Sequence, residues 1–274
     1  MGRTGTLRLN DGREMPRLGL GTWPLDDAEA ERVVDEALEI GYRHIDTAVR
    51  YGNEVGVGRA LATSGLGRDD VFVVTKLDGP FQGEDKAVAG LDDSLERLGL
   101  GFVDLLLIHW PLPSRDLYVS TWRTFERLQA EGKALSIGVS NFKPAHLKRL
   151  AEETEVVPAV NQIQLNPFVT REDHVAYHRE HGIATVSYSP LGKGGELLQE
   201  PAIAEIARAH SRTPAQVILR WHLQSGYVPI PKSADPERLR ENFAVFDFDL
   251  SEEQLATISA LDTGEGTDAD VKGH

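Results

Sequence analysis

A chain of 274 residues with no cysteine and a formal charge of −14 is long enough for one α/β barrel and has neither disulfides nor thiolate chemistry. Its acidity counts against nucleic acid and anionic membrane surfaces as partners, since both attract basic faces. No run approaches the ~18 apolar residues of a membrane span, and the polar start MGRTGTLRLNDGREMP has no apolar signal core, so a cytoplasmic protein is expected.

After an N-terminal hairpin, eight short apolar runs follow: RLGLG (17–21), YRHID (42–46), VFVVTK (71–76), VDLLLIH (103–109), ALSIGVS (134–140), PAVNQIQ (158–164), IATVSYS (183–189) and YVPIPKS (227–233). Helix patterns lie between and after them, at 26–41, 53–63, 85–98, 117–131, 144–153, 171–181, 200–225 (two helices) and 236–242. In the first, Asp26 or Asp27 is placed to cap, apolar residues recur at three- and four-residue spacing, and Gly41 is placed to stop the helix. Ser251 caps a last helix over 251–262, and GEGTDADVKGH (264–274) reads as a polar tail. No linker or low-complexity block divides the chain, so a single domain over 1–274 is expected. Apolar strands each followed by a helix call for a parallel sheet covered on both faces. Their number and the chain length favour closure into a (β/α)8 TIM barrel, with the hairpin at its start and an extra C-terminal helix.

In such barrels the reacting groups sit at the C-terminal ends of the strands and in the loops beyond. By that rule Asp46, Lys76 and His109 end three consecutive strands, and Tyr51 lies in the loop just after Asp46. Neighbouring strands are ~4.8 Å apart, so these ends can converge. A tyrosine with a pKa near ~10 is a poor acid unless its phenolate is stabilised; a lysine beside it does so, and a carboxylate keeps that lysine charged. His109 can orient a carbonyl oxygen or share the proton. The set suits protonation of an oxygen that gains charge as hydride arrives. Taken singly, each residue also has a bland role, as a strand-end cap or as loop packing.

Metal-dependent hydrolysis is the competing chemistry on this fold, and it needs clustered His, Asp and Glu at strand ends. No strand carries an H-x-H pair; His174, His178 and His181 fall in a helix and are expected on its solvated face. His44, Trp122 and Trp221 are expected to be packing. No G-x-G-x-x-G opens the chain, since GLGTWP (19–24) ends in proline, which disfavours a doubly wound dinucleotide fold. The late loops do suit phosphate. SPLGKGG (189–195) allows close backbone approach, and KSADPERLREN (232–242) opens a helix with Lys232, Ser233, backbone amides and Arg238. Asp235 is expected to cap that helix.

These motifs closely resemble the aldo-keto reductase family: DTAVRYGNE (46–54), VTKL (74–77), DLLLIHWP (104–111), IGVSNF (137–142), VNQIQLNP (160–167), YSPLG (188–192) and the IPKS, R and EN of 230–242 follow its pattern in order. The match spans about Leu18 to Asp262 and is nearest to bacterial diketogluconate-reductase-like members. The resemblance implies an NADPH-dependent reductase of aldehydes or ketones, monomeric, with Asp46, Tyr51, Lys76 and His109 as a catalytic tetrad. It implies Ser140, Asn141 and Gln162 on the nicotinamide carboxamide and Tyr188 against its ring. Ser189, Leu191 and Gly192 would line the pyrophosphate, Lys232, Ser233 and Arg238 the 2′-phosphate, and Glu241 and Asn242 the adenine. Trp23 and Trp110 match the substrate pocket. Three departures stand out. Asp78 stands where many members carry tryptophan, so one pocket wall is expected to be polar or open. Asn166 replaces a frequent histidine and is expected to be structural. The tail lacks the aromatic residues that often cover the site. A cofactor-binding protein without catalysis is the alternative from another class; such a protein has no need of the tetrad.

Overall fold

The computed structural model describes residues 5–264 and 266–271. The extreme ends of the expected domain, and residues 265 and 272–274 of the expected tail, lie outside the described residues.

Strands β1 (Thr6–Arg8) and β2 (Glu14–Pro16) form the antiparallel hairpin. The barrel strands follow as β3 (Leu20–Gly21), β4 (His44–Asp46), β5 (Phe72–Leu77), β6 (Val103–Ile108), β7 (Ala134–Ser140), β8 (Val160–Gln164), β9 (Ala184–Tyr188) and β10 (Val228–Pro229). Each pairs in parallel with the next in sequence. The first and last are joined by two backbone bonds, Gly19 N–H to the Pro229 carbonyl and Gly21 N–H to the Pro231 carbonyl, both 3.1 Å. Only glycine fits at this join: a Cβ on Gly19 would lie 2.8 Å from Ile230 Cγ2.

The helices are α1 (Asp27–Ile40), α2 (Glu54–Thr63), α3 (Glu84–Leu98), α4 (Tyr118–Ala130), α5 (Pro144–Glu153), α6 (Glu172–Glu180), α7 (Pro201–Ala209), α8 (Pro214–Gln224), α9 (Pro236–Phe243) and α10 (Glu252–Ser259). The caps fall where the residue types place them. Asp26 accepts from Glu29 N–H at the start of α1, and Ser251 accepts from Gln254 N–H at the start of α10. The pattern over 200–225 divides at Thr213, whose hydroxyl accepts from Gln216 N–H to open α8.

Two apolar layers result. One lies between strands and helices and takes in Trp122, Phe125 and Leu147. The other fills the barrel with the inward residues Val74, Leu105, Leu107, Val160 and Val186. Met15 of the hairpin is fully buried in that inner layer and seals the end opposite the strand C-termini. Trp122 and Trp221 are core, as their helical positions suggest.

His178 departs from its expectation. It is fully buried rather than on a solvated face, because α6 turns it onto β8 and β9. Its Nδ1 meets Thr185 Oγ1 at 2.9 Å and its Nε2 meets Asn161 Nδ2 at 2.8 Å. The amide can only donate there, so Nε2 is the acceptor and the ring is neutral. Burial holds its pKa down at about 3. His181 does lie exposed, stacked on Tyr177. Among the described residues no helix is long and apolar enough to cross a membrane.

Candidate active site

The parallel register brings the C-terminal ends of β4, β5 and β6 to one floor. Lys76 lies in β5 opposite Leu107 of β6, while Asp46 of β4 stands opposite Val74. Lys76 is fully buried, and its ammonium donates to Asp46 Oδ1 at 2.5 Å, to the Thr47 carbonyl at 2.9 Å and to Tyr51 Oη at 3.2 Å. Tyr51 is carried by a single 3₁₀ turn, Val49–Tyr51, directly after β4. His109 follows β6, with its ring edge-on to that of Tyr51 at 5.7 Å between centroids.

Burial opposes the charge on Lys76, but the Asp46 carboxylate and Tyr51 outweigh it and hold the ammonium above its ordinary pKa. Burial also pushes the Tyr51 phenol up; Lys76 pulls it down and does not fully offset this. Burial, then the charges of Lys76 and Arg50, hold His109 well below the usual imidazole range. The floor is thus a charged Lys76–Asp46 pair beside a neutral phenol and a neutral imidazole. His109 Nδ1 is buried with no hydrogen-bond partner in the protein, the mark of a polar atom that awaits one.

A cleft opens above this floor, and Trp23, Trp110, Ser140, Asn141, Gln162 and Tyr188 lie on its walls. These polar groups are tied to one another. Tyr188 Oη donates to Asn141 Oδ1 at 2.9 Å, Asn141 Nδ2 donates to Ser140 Oγ at 3.0 Å, and Ser140 Oγ donates to the Gln162 carbonyl at 2.9 Å. Trp23, after which the peptide to Pro24 is cis, stands 55% exposed at the rim.

Along the cleft, Ser189, Leu191, Lys232, Ser233, Arg238, Glu241 and Asn242 also line the wall. Gly192 is set behind it at φ 59°, where a Cβ would press on Leu197 at 3.1 Å. The groove therefore joins an amide-rich end to an end bearing a lysine and an arginine. That donor set fits an elongated ligand with phosphates, and the tight backbone at Gly192 leaves the loop close to it.

One part of the loop at 232–242 differs from expectation. Asp235 does cap α9, accepting from Glu237 N–H at 2.8 Å and Arg238 N–H at 3.3 Å. Those two amides are consequently engaged within the protein, while Lys232, Ser233 and Arg238 line the cleft. Glu241 accepts from Thr213 Oγ1, which fixes its carboxylate. Asp78 is also not on the cleft wall. It pairs with Arg50, Nε to Oδ1 at 3.2 Å, and it is Arg50 that lines the cleft. Asn166 is structural as expected, accepting from Phe168 N–H and donating to the Ser189 carbonyl.

Several contributors escaped the reading of the sequence. Asn53 holds the turn that carries Tyr51: its Oδ1 accepts from Thr47 Oγ1 at 2.7 Å and its Nδ2 donates to the Thr22 and Leu25 carbonyls. Thr267 of the tail lines the cleft. The tail is pinned there by Arg171, which donates to the Thr267 carbonyl at 2.6 Å, and by Lys143, which meets Asp268 and Asp270 at 2.6 and 2.5 Å. A run of small and acidic residues carries no signal of such docking. Among the described residues no group of three or more His, Asp or Glu side chains is placed to share a metal ion.

Comparison with known proteins agrees with this geometry. Residues 17–263 match the model of the Aldo/keto reductase family. An aldo-keto reductase of Mycolicibacterium smegmatis is 50% identical over 259 residues, covering 94% of each chain. A 2,5-diketo-D-gluconic acid reductase B of a Corynebacterium species is 47% identical, over 98% of this chain and 97% of its own. Among solved structures, a variant of Gox0644 in complex with NADPH superposes with a TM-score of 0.95 at 41% identity, covering 99% of both chains. Fold, motifs and relatives agree: the chain belongs to the aldo/keto reductase family and is an oxidoreductase of carbonyl groups.

Proposed function

We propose that the protein reduces an aldehyde or ketone to the alcohol with NADPH, and that Tyr51 delivers the proton to the carbonyl oxygen. The observation that carries this reading is the position of Lys76 Nζ, which contacts Tyr51 Oη at 3.2 Å and Asp46 Oδ1 at 2.5 Å beneath the cleft. NADPH, when bound, supplies the hydride that completes the reduction. The chain's own task is to give one proton and to stabilise the charge left behind. As the Tyr51 O–H bond breaks, the phenolate forms against the Lys76 ammonium, which Asp46 and the Thr47 carbonyl hold in place. His109, neutral at working pH, is placed to donate a hydrogen bond to the carbonyl oxygen and so orient it.

For the cofactor, the amide cluster of Ser140, Asn141 and Gln162 fits the carboxamide, and Tyr188 fits the nicotinamide face. Ser189, Leu191 and Gly192 flank the pyrophosphate. Lys232, Ser233 and Arg238 hold the 2′-phosphate, with Glu241 and Asn242 beside the adenine. A lysine and an arginine at that end favour NADPH over NADH, since the extra phosphate is what they pair. Trp23 and Trp110 flank the carbonyl substrate. The NADPH complex of the Gox0644 variant, of the same fold, supports the cofactor. The same reading takes the chain as one barrel domain, monomeric and cytoplasmic. Replacing Tyr51 by Phe removes the proton and little else, so turnover is lost while NADPH still binds, as followed by quenching of tryptophan fluorescence. Full activity in that variant overturns the assignment.

A further inference from the structure

Asn141 stands just beyond β7 with a backbone φ of 63°, in the left-handed region that residues other than glycine rarely occupy. In that conformation it lines the cleft, and its Nδ2 donates to the His109 carbonyl at 3.1 Å as well as to Ser140 Oγ. The backbone of the next residue is gripped from behind. Asn161 Nδ2 donates to the Phe142 carbonyl at 2.9 Å, and Asn161 Oδ1 accepts from Phe142 N–H at 3.4 Å. Asn161 is fully buried and belongs to the outward face of β8, since its neighbours Val160 and Gln162 point into the barrel.

The second N–H of that amide goes to His178 Nε2, and His178 Nδ1 meets Thr185 Oγ1. Asn161 and Thr185 are register partners in β8 and β9, so the imidazole of α6 straps two adjacent strands. Both N–H groups of Asn161 are thereby used. An apolar side chain would fill this space without the cost of desolvating an amide. The bonds of Asn161 instead end on the backbone one residue from Asn141, where they oppose the return of its φ to the ordinary negative range.

We propose that Asn161, held by His178, is a positioning residue for the nicotinamide end of the cofactor: by fixing Phe142 it keeps Asn141 and Ser140 in the arrangement that receives the carboxamide. The proposal rests on the assignment of those two residues to the carboxamide made above. It adds no group to the proton or hydride step.

The test measures, by titration calorimetry, the affinity for NADP+ and for 2′,5′-ADP, which carries adenine and phosphates but no nicotinamide. The proteins compared are the wild type, N161A, H178L and H178Q. In N161A, NADP+ should bind about 10-fold more weakly, the worth of one to two hydrogen bonds, while 2′,5′-ADP binds as it does to the wild type. H178L, which leaves an Asn161 N–H without its acceptor, should weaken NADP+ about 3-fold. H178Q, whose amide can accept from Asn161 and donate to Thr185, should restore the wild-type affinity. Equal losses for both ligands overturn the proposal, because a general loosening of the barrel does not distinguish one end of the cleft from the other. An unchanged affinity for NADP+ overturns it as well. Where N161A does not fold, the His178 pair decides: H178L and H178Q binding NADP+ alike overturns the proposal. A wild type that prefers NADP+ to 2′,5′-ADP, with variants that do the same, refutes Asn161 alone. A wild type that binds the two equally refutes the carboxamide assignment and this proposal with it.

Discussion

Gln162 of β8 donates its side-chain amide to Asp46 Oδ2 at 2.7 Å, across the barrel from β4. The other oxygen of that carboxylate takes the Lys76 ammonium, so both faces of Asp46 are engaged. Asp46 and Gln162 are both buried, and a buried carboxylate oxygen stripped of its donor costs about 1–3 kcal/mol. Gln162→Leu is therefore expected to lower the melting temperature by several degrees and to reduce turnover, through a loosened Lys76 as well as through the cofactor. Scanning calorimetry on the cofactor-free protein isolates the first effect. An unchanged melting temperature would show that the bond contributes nothing.

The pH profile of reduction should be flat through the range where histidines ordinarily titrate. His109 is held well below that range, so it stays neutral as pH falls from 8 to about 6. Tyr51 is held above its ordinary value, so the proton proposed to be donated is lost only in strongly alkaline solution, above ~10. The dependence of kcat/KM on pH checks both limits. An inflection between about 6 and 7 that disappears in His109→Gln would contradict the neutral imidazole.

Acid should unfold the protein by way of its interior histidines. His178 is depressed to about 3, and His44 and His222 to about 4. Each is neutral when folded and binds a proton more readily once unfolded, so its contribution is complete above the unfolded pKa near ~6.5. That contribution is lost as pH falls toward the folded value, at up to about 1.4 kcal/mol per pH unit for each group. Melting temperatures from pH 7 to about 4 should fall steeply, and His178→Gln should soften the slope. An equal slope in that variant counts against His178 as a contributor.

The tail offers a further check. Lys143 joins Asp268 and Asp270, and His146 meets Asp270 at 3.2 Å. These pairs are partly exposed, and pairs of that kind are worth about 0–1 kcal/mol each. Lys143→Ala should leave the melting temperature nearly unchanged while raising KM for the carbonyl substrate, because the segment after Thr267 is released and Thr267 is then held in the cleft wall by Arg171 without its support. Added salt should move the wild type in the same direction and the variant less. A KM unaffected by either change would show that the tail is a passenger.

The barrel was legible because short apolar runs alternate with helix patterns along the chain, and four of the described helices open on a side-chain cap, at Asp26, Thr213, Asp235 and Ser251. Asp46, Lys76 and His109 end three of those runs, and their convergence follows from strand spacing alone. Asp78 and His178 were harder. Where Asp78 points depends on Arg50, a neighbour in space that no spacing along the chain announces. His178 reads as one of three polar residues on a helix, and only the packing of α6 on β8 and β9 makes it interior. Tail docking was hidden for a similar reason: its anchors Lys143 and Arg171 lie about a hundred residues away in other loops.

The join between Gly19, Gly21 and the segment Pro229–Pro231 has a consequence for how the protein is made. Its two sides are separated by some 210 residues, so the ring cannot close on the ribosome until nearly the whole chain has emerged. Contacts that distant in sequence are among the slowest to form. The loop that carries Lys232 and Ser233 begins directly beyond the last closing bond. If that loop holds the phosphate end of NADPH as proposed, its seating and the completion of the barrel are coupled, and a bound dinucleotide would act as the clasp that keeps the final strand from peeling away.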